Sequence, residues 1–220
     1  MKKDFWIATV LLVLMIIAFQ FDYILVNFLA NNRVDWLNYI MVFITYGSSE
    51  FIILLFLTFI MVQKKKEYKN IPILLAIMAA VFLLNFILKV AIARPRPNLE
   101  IHSLVELTSY SFPSRHASLA FAAVPLFFRE FKKIGYIWLI IAILISFSRI
   151  YVGAHYLSDV IGGALLGYFT GYFLLYLEEK YKIIERIKVK TNFWQRLSHR
   201  SLLLTTQQRL CGISPLLFNI

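Results

Sequence analysis

The run IPILLAIMAAVFLLNFIL, residues 71–88, carries no charged side chain and ends against Lys89. A membrane helix needs about 17–25 mainly apolar residues, so this run reads as a span. Working outward, Phe5–Phe21 is also uncharged, and Trp36–Val62 carries one charge, Glu50. The latter reads as an interfacial helix leading into a span from about Ser48. Ala117–Phe128 is short, so its helix is expected to start near Ser114 and reach Lys132. Ile134–Ser148 and Val160–Leu177 complete a set of six. The expected fold is therefore all-α: a polytopic membrane domain over residues 1–190, followed by a tail, 191–220, to which no packed structure is assigned. No small-residue cleavage site follows the stretch after Lys2 and Lys3, which reads as a retained first helix and not a signal peptide.

Composition agrees. The chain has 220 residues, 60% hydrophobic and 16% charged, with a formal net charge of +11. A basic soluble chain would point to nucleic acid. A typical globular domain is only about 45–50% apolar and about 25% charged, so that class is excluded. The single cysteine, Cys211, rules out an intrachain disulfide framework and a cysteine-based metal cluster.

Six spans place both termini on one side. That side carries Lys2, Lys3, Lys64, Lys65, Lys66, Lys69, Arg129, Lys132, Lys133 and the basic residues after Leu177. By the positive-inside rule it is cytoplasmic, and the net charge reports orientation. The remaining cations are Arg33, Lys89, Arg94, Arg96, Arg115 and Arg149, at the outer ends of helices where positive charge is normally avoided.

Five of these lie in three short segments: Lys89–Pro97, Phe112–His116 and Ser148–Asp159. Topology alone brings all three to the outer face. Charges at membrane depth are costly and mark function by default. Interfacial snorkelling explains one such cation more readily than three beside two histidines. Within the segments Asp159 is the only acid, so an anionic ligand is the natural counter-charge, and Arg forks favour phosphate. His155 and Asp159 are four apart; a carboxylate on one ring nitrogen leaves the other free as a nucleophile or base. Alone, such a pair is more often structural. Beside the cations it is a candidate phosphoryl acceptor. His116 offers a proton donor for a leaving group, and Ser114, ahead of its helix, offers a hydroxyl and backbone N–H groups for phosphate oxygens.

The three segments resemble the signature of the type 2 phosphatidic acid phosphatase superfamily, membrane lipid phosphatases related to vanadium haloperoxidases. Lys89, Arg96 and Pro97 match Lys-x6-Arg-Pro. Ser148, Arg149, His155 and Asp159 match Ser-Arg-x5-His-x3-Asp, and the middle segment matches Pro-Ser-Gly-His except that Arg115 replaces glycine. The motif core runs from Lys89 to Asp159. The resemblance implies a mechanism without metal or cofactor. In it His155 attacks phosphorus, Asp159 orients His155, and His116 serves as acid and then base. Lys89, Arg96, Ser114 and Arg149 hold the phosphate, and Arg115 is assigned to a second phosphate or headgroup. The implied substrate is a lipid phosphate or diphosphate in the plasma membrane, with no nucleic acid, handled at the outer face. A polyprenyl (undecaprenyl-type) diphosphate leads by analogy; phosphatidic acid, phosphatidylglycerol phosphate and lipid A phosphates stand as alternatives. From different classes, an anion transporter or an inactive lipid-binding homologue would share the cationic cluster.

Other features read as structural. Gly163, Gly167 and Gly171 at four-residue spacing allow close helix packing. Asn85 reads as an interhelical hydrogen bond as readily as a substrate contact, Pro125 as a kink, and His102 as a surface residue.

Overall fold

The computed structural model describes residues 2–47, 56, 59, 70–97, 104 and 109–183. In chain order the described helices are α1 (Lys2–Asn31), α2 (Asp35–Gly47), α3 (Ile71–Ile92), α4 (Arg115–Ala122), α5 (Val124–Glu130), α6 (Lys132–Tyr151) and α7 (Leu157–Tyr181). No strand occurs among the described residues. Among the described residues four helical stretches are long and apolar enough to cross a membrane: Val13–Asn31, Ile71–Ile92, Lys132–Tyr151 and Leu157–Tyr181. Their outer faces carry exposed apolar side chains, among them Phe28, Leu83, Phe86 and Ile140, as a bilayer solvent allows.

The expected span beginning near Ser48, together with Glu50, lies outside the described residues, as do His102, the tail and the boundary near residue 190. The chain divides into two units, Met1–Tyr176 and Leu177–Ile220; of the second, residues 177–183 are described.

The single helix expected from Ser114 to Lys132 is two helices. Ala123 joins α4 to α5, and Pro125 sits in the first turn of α5. Proline there lacks a donor and crowds the preceding turn, so the kink read at Pro125 is a break. Phe131, with φ −144° and ψ 76°, then separates α5 from α6. Chain reversal is tight: a Cβ on Gly135 would lie 3.0 Å from the Phe128 backbone. The core of this corner is apolar, with Leu126 and Phe127 fully buried and the Phe127 and Trp138 rings 5.9 Å apart. Trp138 Nε1 donates to the Ala120 carbonyl at 2.8 Å, satisfying its one polar atom.

Close packing of α4 on α7 is made by the three glycines. A Cβ on Gly163 would meet the Ser114 carbonyl oxygen at 2.5 Å, on Gly167 the Ser118 carbonyl oxygen at 1.9 Å, and on Gly171 the Ala122 carbonyl oxygen at 2.3 Å. Four-residue spacing on both helices keeps the two rows in step. This is the small-residue packing expected of the sequence. It fixes the start of α4 against the first turns of α7, where the second and third segments meet.

Candidate active site

Lys89 occupies the last turn of α3 and is 8% exposed. Its Nζ donates to the Tyr110 carbonyl at 2.6 Å and the Ser111 carbonyl at 3.5 Å. Ala93, with φ 47° and ψ 36°, ends the helix in the left-handed region, a conformation costing about 1–2 kcal/mol for a residue with a Cβ. The turn releases Arg94-Pro95-Arg96, whose two guanidinium groups take different partners. Arg96 donates to the Ala154 carbonyl, the Ser109 carbonyl at 2.6 Å and Ser109 Oγ at 3.0 Å. Its Nη1 lies 3.3 Å from His155 Nε2. Burial lowers Arg96 to about 10, which leaves it charged near neutrality.

Ser148 and Arg149 belong to the last turn of α6, which runs to Tyr151, past the span end read at Ser148. Gly153, at φ 80°, supplies the positive φ that the following turn requires. The turn brings the N–H groups of Ala154 and His155 onto the Arg149 carbonyl, at 3.0 and 3.1 Å. His155 is thereby seated over the end of α6 and is only 2% exposed. Its Nδ1 lies 3.7 Å from Asp159 Oδ2, an ion-pair distance and not a hydrogen bond. Helix α7 begins at Leu157, so His155 precedes it and Asp159 lies in its first turn.

Asp159 is fully buried and well supplied with donors. Arg94 Nη1 donates to Oδ1 at 2.6 Å; the Tyr156 N–H at 2.9 Å and the Ser111 hydroxyl donate to Oδ2. Ser114 precedes α4, and its N–H donates to the Asp159 carbonyl at 3.0 Å, joining the second segment to the third. Its Oγ is buried without a hydrogen-bond partner, as is His155 Nδ1. A buried unsatisfied polar atom costs about 1–3 kcal/mol, so both mark places where another group is needed. His116, in the first turn of α4, lies within the electrostatic reach of Arg149, His155, Arg115 and Arg96. Arg115 stacks over Phe82 of α3 at 5.7 Å. Asn85 makes the interhelical bonds read for it, donating to Ser118 Oγ at 2.9 Å and the Pro113 carbonyl at 3.3 Å.

Burial, then the charges of Arg96, Arg149 and Lys89, holds the His155 imidazole well below the usual histidine range. An NMR titration of histidine-labelled protein in detergent is expected to show His155 protonating only well below the range of an ordinary histidine. A folded-state value below the unfolded one contributes stability that is present above about pH 6.5 and is lost as pH falls through the folded value. A midpoint for His155 at or above pH 6.5 would contradict this.

All three segments are therefore assembled at one end of the helices. Sequence reasoning missed Asp22, Ser111 and Ser158, and it left Arg94 outside any motif. Asp22 of α1 is 1% exposed; its Oδ2 accepts from Arg94 Nη2 at 2.7 Å and Ser158 Oγ at 2.5 Å, and its Oδ1 from the Ser158 N–H at 2.8 Å. The signal was present: an acid that directly ends an uncharged run needs a partner.

Comparison with known proteins agrees with this geometry. The family model described as PAP2 superfamily matches residues 70–183. Phosphatidylglycerophosphatase B of Bacillus subtilis (strain 168) is 34% identical over 164 residues, covering 68% of this chain and 79% of the relative. Undecaprenyl-diphosphatase of Sulfolobus acidocaldarius is 27% identical over 191 residues, covering 80% of this chain and 92% of the relative. The crystal structure of a transmembrane PAP2 type phosphatidylglycerolphosphate phosphatase from Bacillus subtilis superimposes with a TM-score of 0.66 and 27% identity, covering 79% of this chain and 96% of that one. The helices, the three assembled segments and these matches lead to one conclusion: the chain belongs to the PAP2 superfamily.

Proposed function

We propose that the protein is an integral membrane phosphatase that removes phosphate from a polyprenyl (undecaprenyl-type) diphosphate through a phosphohistidine on His155, without a metal. The observation that carries the reading is the seating of neutral His155 between Arg96 and Asp159, within the field of Lys89 and Arg149.

In the first step His155 Nε2 forms a bond to phosphorus while the bond from phosphorus to the bridging oxygen breaks. His116 gives its proton to that leaving oxygen. Arriving phosphate charge favours the protonated form of His116 that this step needs. Lys89, Arg96, Arg149 and the Ser114 hydroxyl take the phosphate oxygens, whose charge peaks in the transition state. In the second step neutral His116 accepts a proton from water, the water oxygen bonds to phosphorus, and the bond to His155 breaks.

The choice of a diphosphate rests on charge and on a relative. Five cations, Lys89, Arg94, Arg96, Arg115 and Arg149, lie in the three segments, and Asp22 and Asp159 both pair with one of them, Arg94. A lipid diphosphate carries roughly one more negative charge than a phosphate monoester and suits a site lined by several cations better. One relative is named undecaprenyl-diphosphatase. Another is named phosphatidylglycerophosphatase B, which makes phosphatidylglycerol phosphate the second reading. We place six spans in the membrane, both termini in the cytoplasm and the site on the outer face, because Lys132 and Lys133 open α6 at the end away from Arg149 and the cluster.

Phosphate release by purified protein in EDTA is the test, across prenyl diphosphate, prenyl phosphate, phosphatidylglycerol phosphate, phosphatidic acid and lipid A. Prenyl diphosphate is expected to be turned over fastest. Arg115→Gly is expected to lower kcat/KM for the diphosphate about 10-fold more than for the monophosphate, the loss of one charge-assisted hydrogen bond. No release from any lipid would sink the enzyme reading and leave transport or passive lipid binding.

A further inference from the structure

We infer that Arg94 and Asp22 form a positioning bridge that ties α1 to Asp159 and, through it, to the His155 imidazole. The inference rests on the phosphatase reading above. It concerns residues outside the three segment motifs, and Asp22 also lies outside residues 70–183 matched by the family model.

Arg94 is held on every side. Its Nη1 donates to Asp159 Oδ1 and to Ser158 Oγ, both at 2.6 Å, and its Nη2 to Asp22 Oδ2 at 2.7 Å. The rings of Tyr156 and Phe19 lie over its guanidinium at 4.3 and 4.8 Å. A planar fork joins two carboxylates in a way that a lysine point charge cannot. Arg94 faces away from the phosphate cluster in its contacts, since its bonds go to Asp22, Ser158 and Asp159 and not to the other cations.

Asp22 does a second thing. The residue preceding α7 is Tyr156, whose side chain offers no acceptor for the first free N–H groups of the helix. Asp22 supplies one from another helix, accepting from the Ser158 N–H at 2.8 Å. Asp159, at the third helical position, reaches back to the Tyr156 N–H at 2.9 Å, the return half of a capping box. The start of α7 is thus fixed by two carboxylates, and Arg94 clamps one to the other. That holds Asp159 Oδ2 at 3.7 Å from His155 Nδ1, close enough to bond once the ring becomes cationic at phosphorus. Without the clamp Asp159 keeps the Ser111 hydroxyl and the Tyr156 N–H, both on Oδ2, and its Oδ1 loses its anchor.

The experiment is steady-state kinetics on prenyl diphosphate with full-length protein in detergent. Asp22→Asn is expected to lower kcat about 10-fold and Arg94→Met about 100-fold, each with KM within about twofold, because neither side chain holds phosphate. Asp22→Asn in the Arg94→Met background is expected to add no further loss, since Asp22 acts through Arg94. Arg94→Lys, which keeps the charge and serves if the methionine variant does not fold, is expected to lose about 10-fold in kcat. Full kcat in Arg94→Lys, independent losses in the double variant, or a thermal shift in Asp22→Asn with unchanged kcat each overturn the bridge. Wild-type protein that releases no phosphate overturns the phosphatase reading instead, which keeps the two failures apart.

Discussion

Replacement of His155 by alanine is expected to reduce phosphate release by about 10⁴-fold or more, the scale on which removing a covalent nucleophile acts. The second imidazole, His116, is assigned to proton transfer, and the remaining groups around the phosphate cluster are cations, a buried carboxylate engaged by three donors, and the Ser114 hydroxyl. The partner experiment separates the two steps. In His116→Ala, an aryl phosphate, whose leaving group needs no proton, should still phosphorylate His155. Hydrolysis should stall for want of a base, so phosphate accumulates on the protein. Mass spectrometry after an alkaline quench is expected to find it on His155, because a phosphoramidate survives base. More than about 1% residual activity in His155→Ala, or no trapped phosphate in His116→Ala, would break the assignment of roles.

The second large effect is structural. Gly167→Val is expected to abolish recovery of folded protein from detergent, read as loss of the monodisperse peak and of cooperative thermal unfolding. A Cβ at this position would stand 1.9 Å from the Ser118 carbonyl oxygen, 2.8 Å from its carbon and 3.0 Å from the Ala122 nitrogen. All three are backbone atoms, so no side-chain rotation relieves the clash. Ordinary overpacking costs about 1–3 kcal/mol because neighbours adjust; here whole helices must part, and the loss should exceed that. A variant that unfolds within a few degrees of wild type would show that α4 and α7 are not packed through this seam.

Much of this was legible in the sequence because a bilayer makes charge conspicuous. In a background of residues like 71–88, Lys89, Arg96, Arg149, His155 and Asp159 stand out, and their order carried the resemblance. The structure assembles them as the segments foretold. Helix ends were less legible. The span read as ending at Ser148 continues to Tyr151, since an apolar run says nothing about how far a polar last turn continues. The split of the fourth helix was half visible in Pro125, whose effect depends on what stands before it. The pairing of Asp22 with Arg94 escaped for a different reason: they are far apart in sequence, and only packing of α1 beside the start of α7 brings their charges together. Patterns along the chain report composition and period; they do not report which cation will choose which acid.

The seam of glycines also decides how a greasy substrate can travel. Between α4 and α7 backbone lies against backbone, with no room at Gly163, Gly167 or Gly171 for even a methyl group. The opposite flank of α4 is different. There Arg115 leans on Phe82, with exposed Phe86 one turn further along α3 toward Lys89. A tail lying against these rings can stay in the hydrocarbon while its headgroup turns inward to the cations. Among the described residues, α7 thus presents a closed flank to α4 and α3 an exposed apolar one.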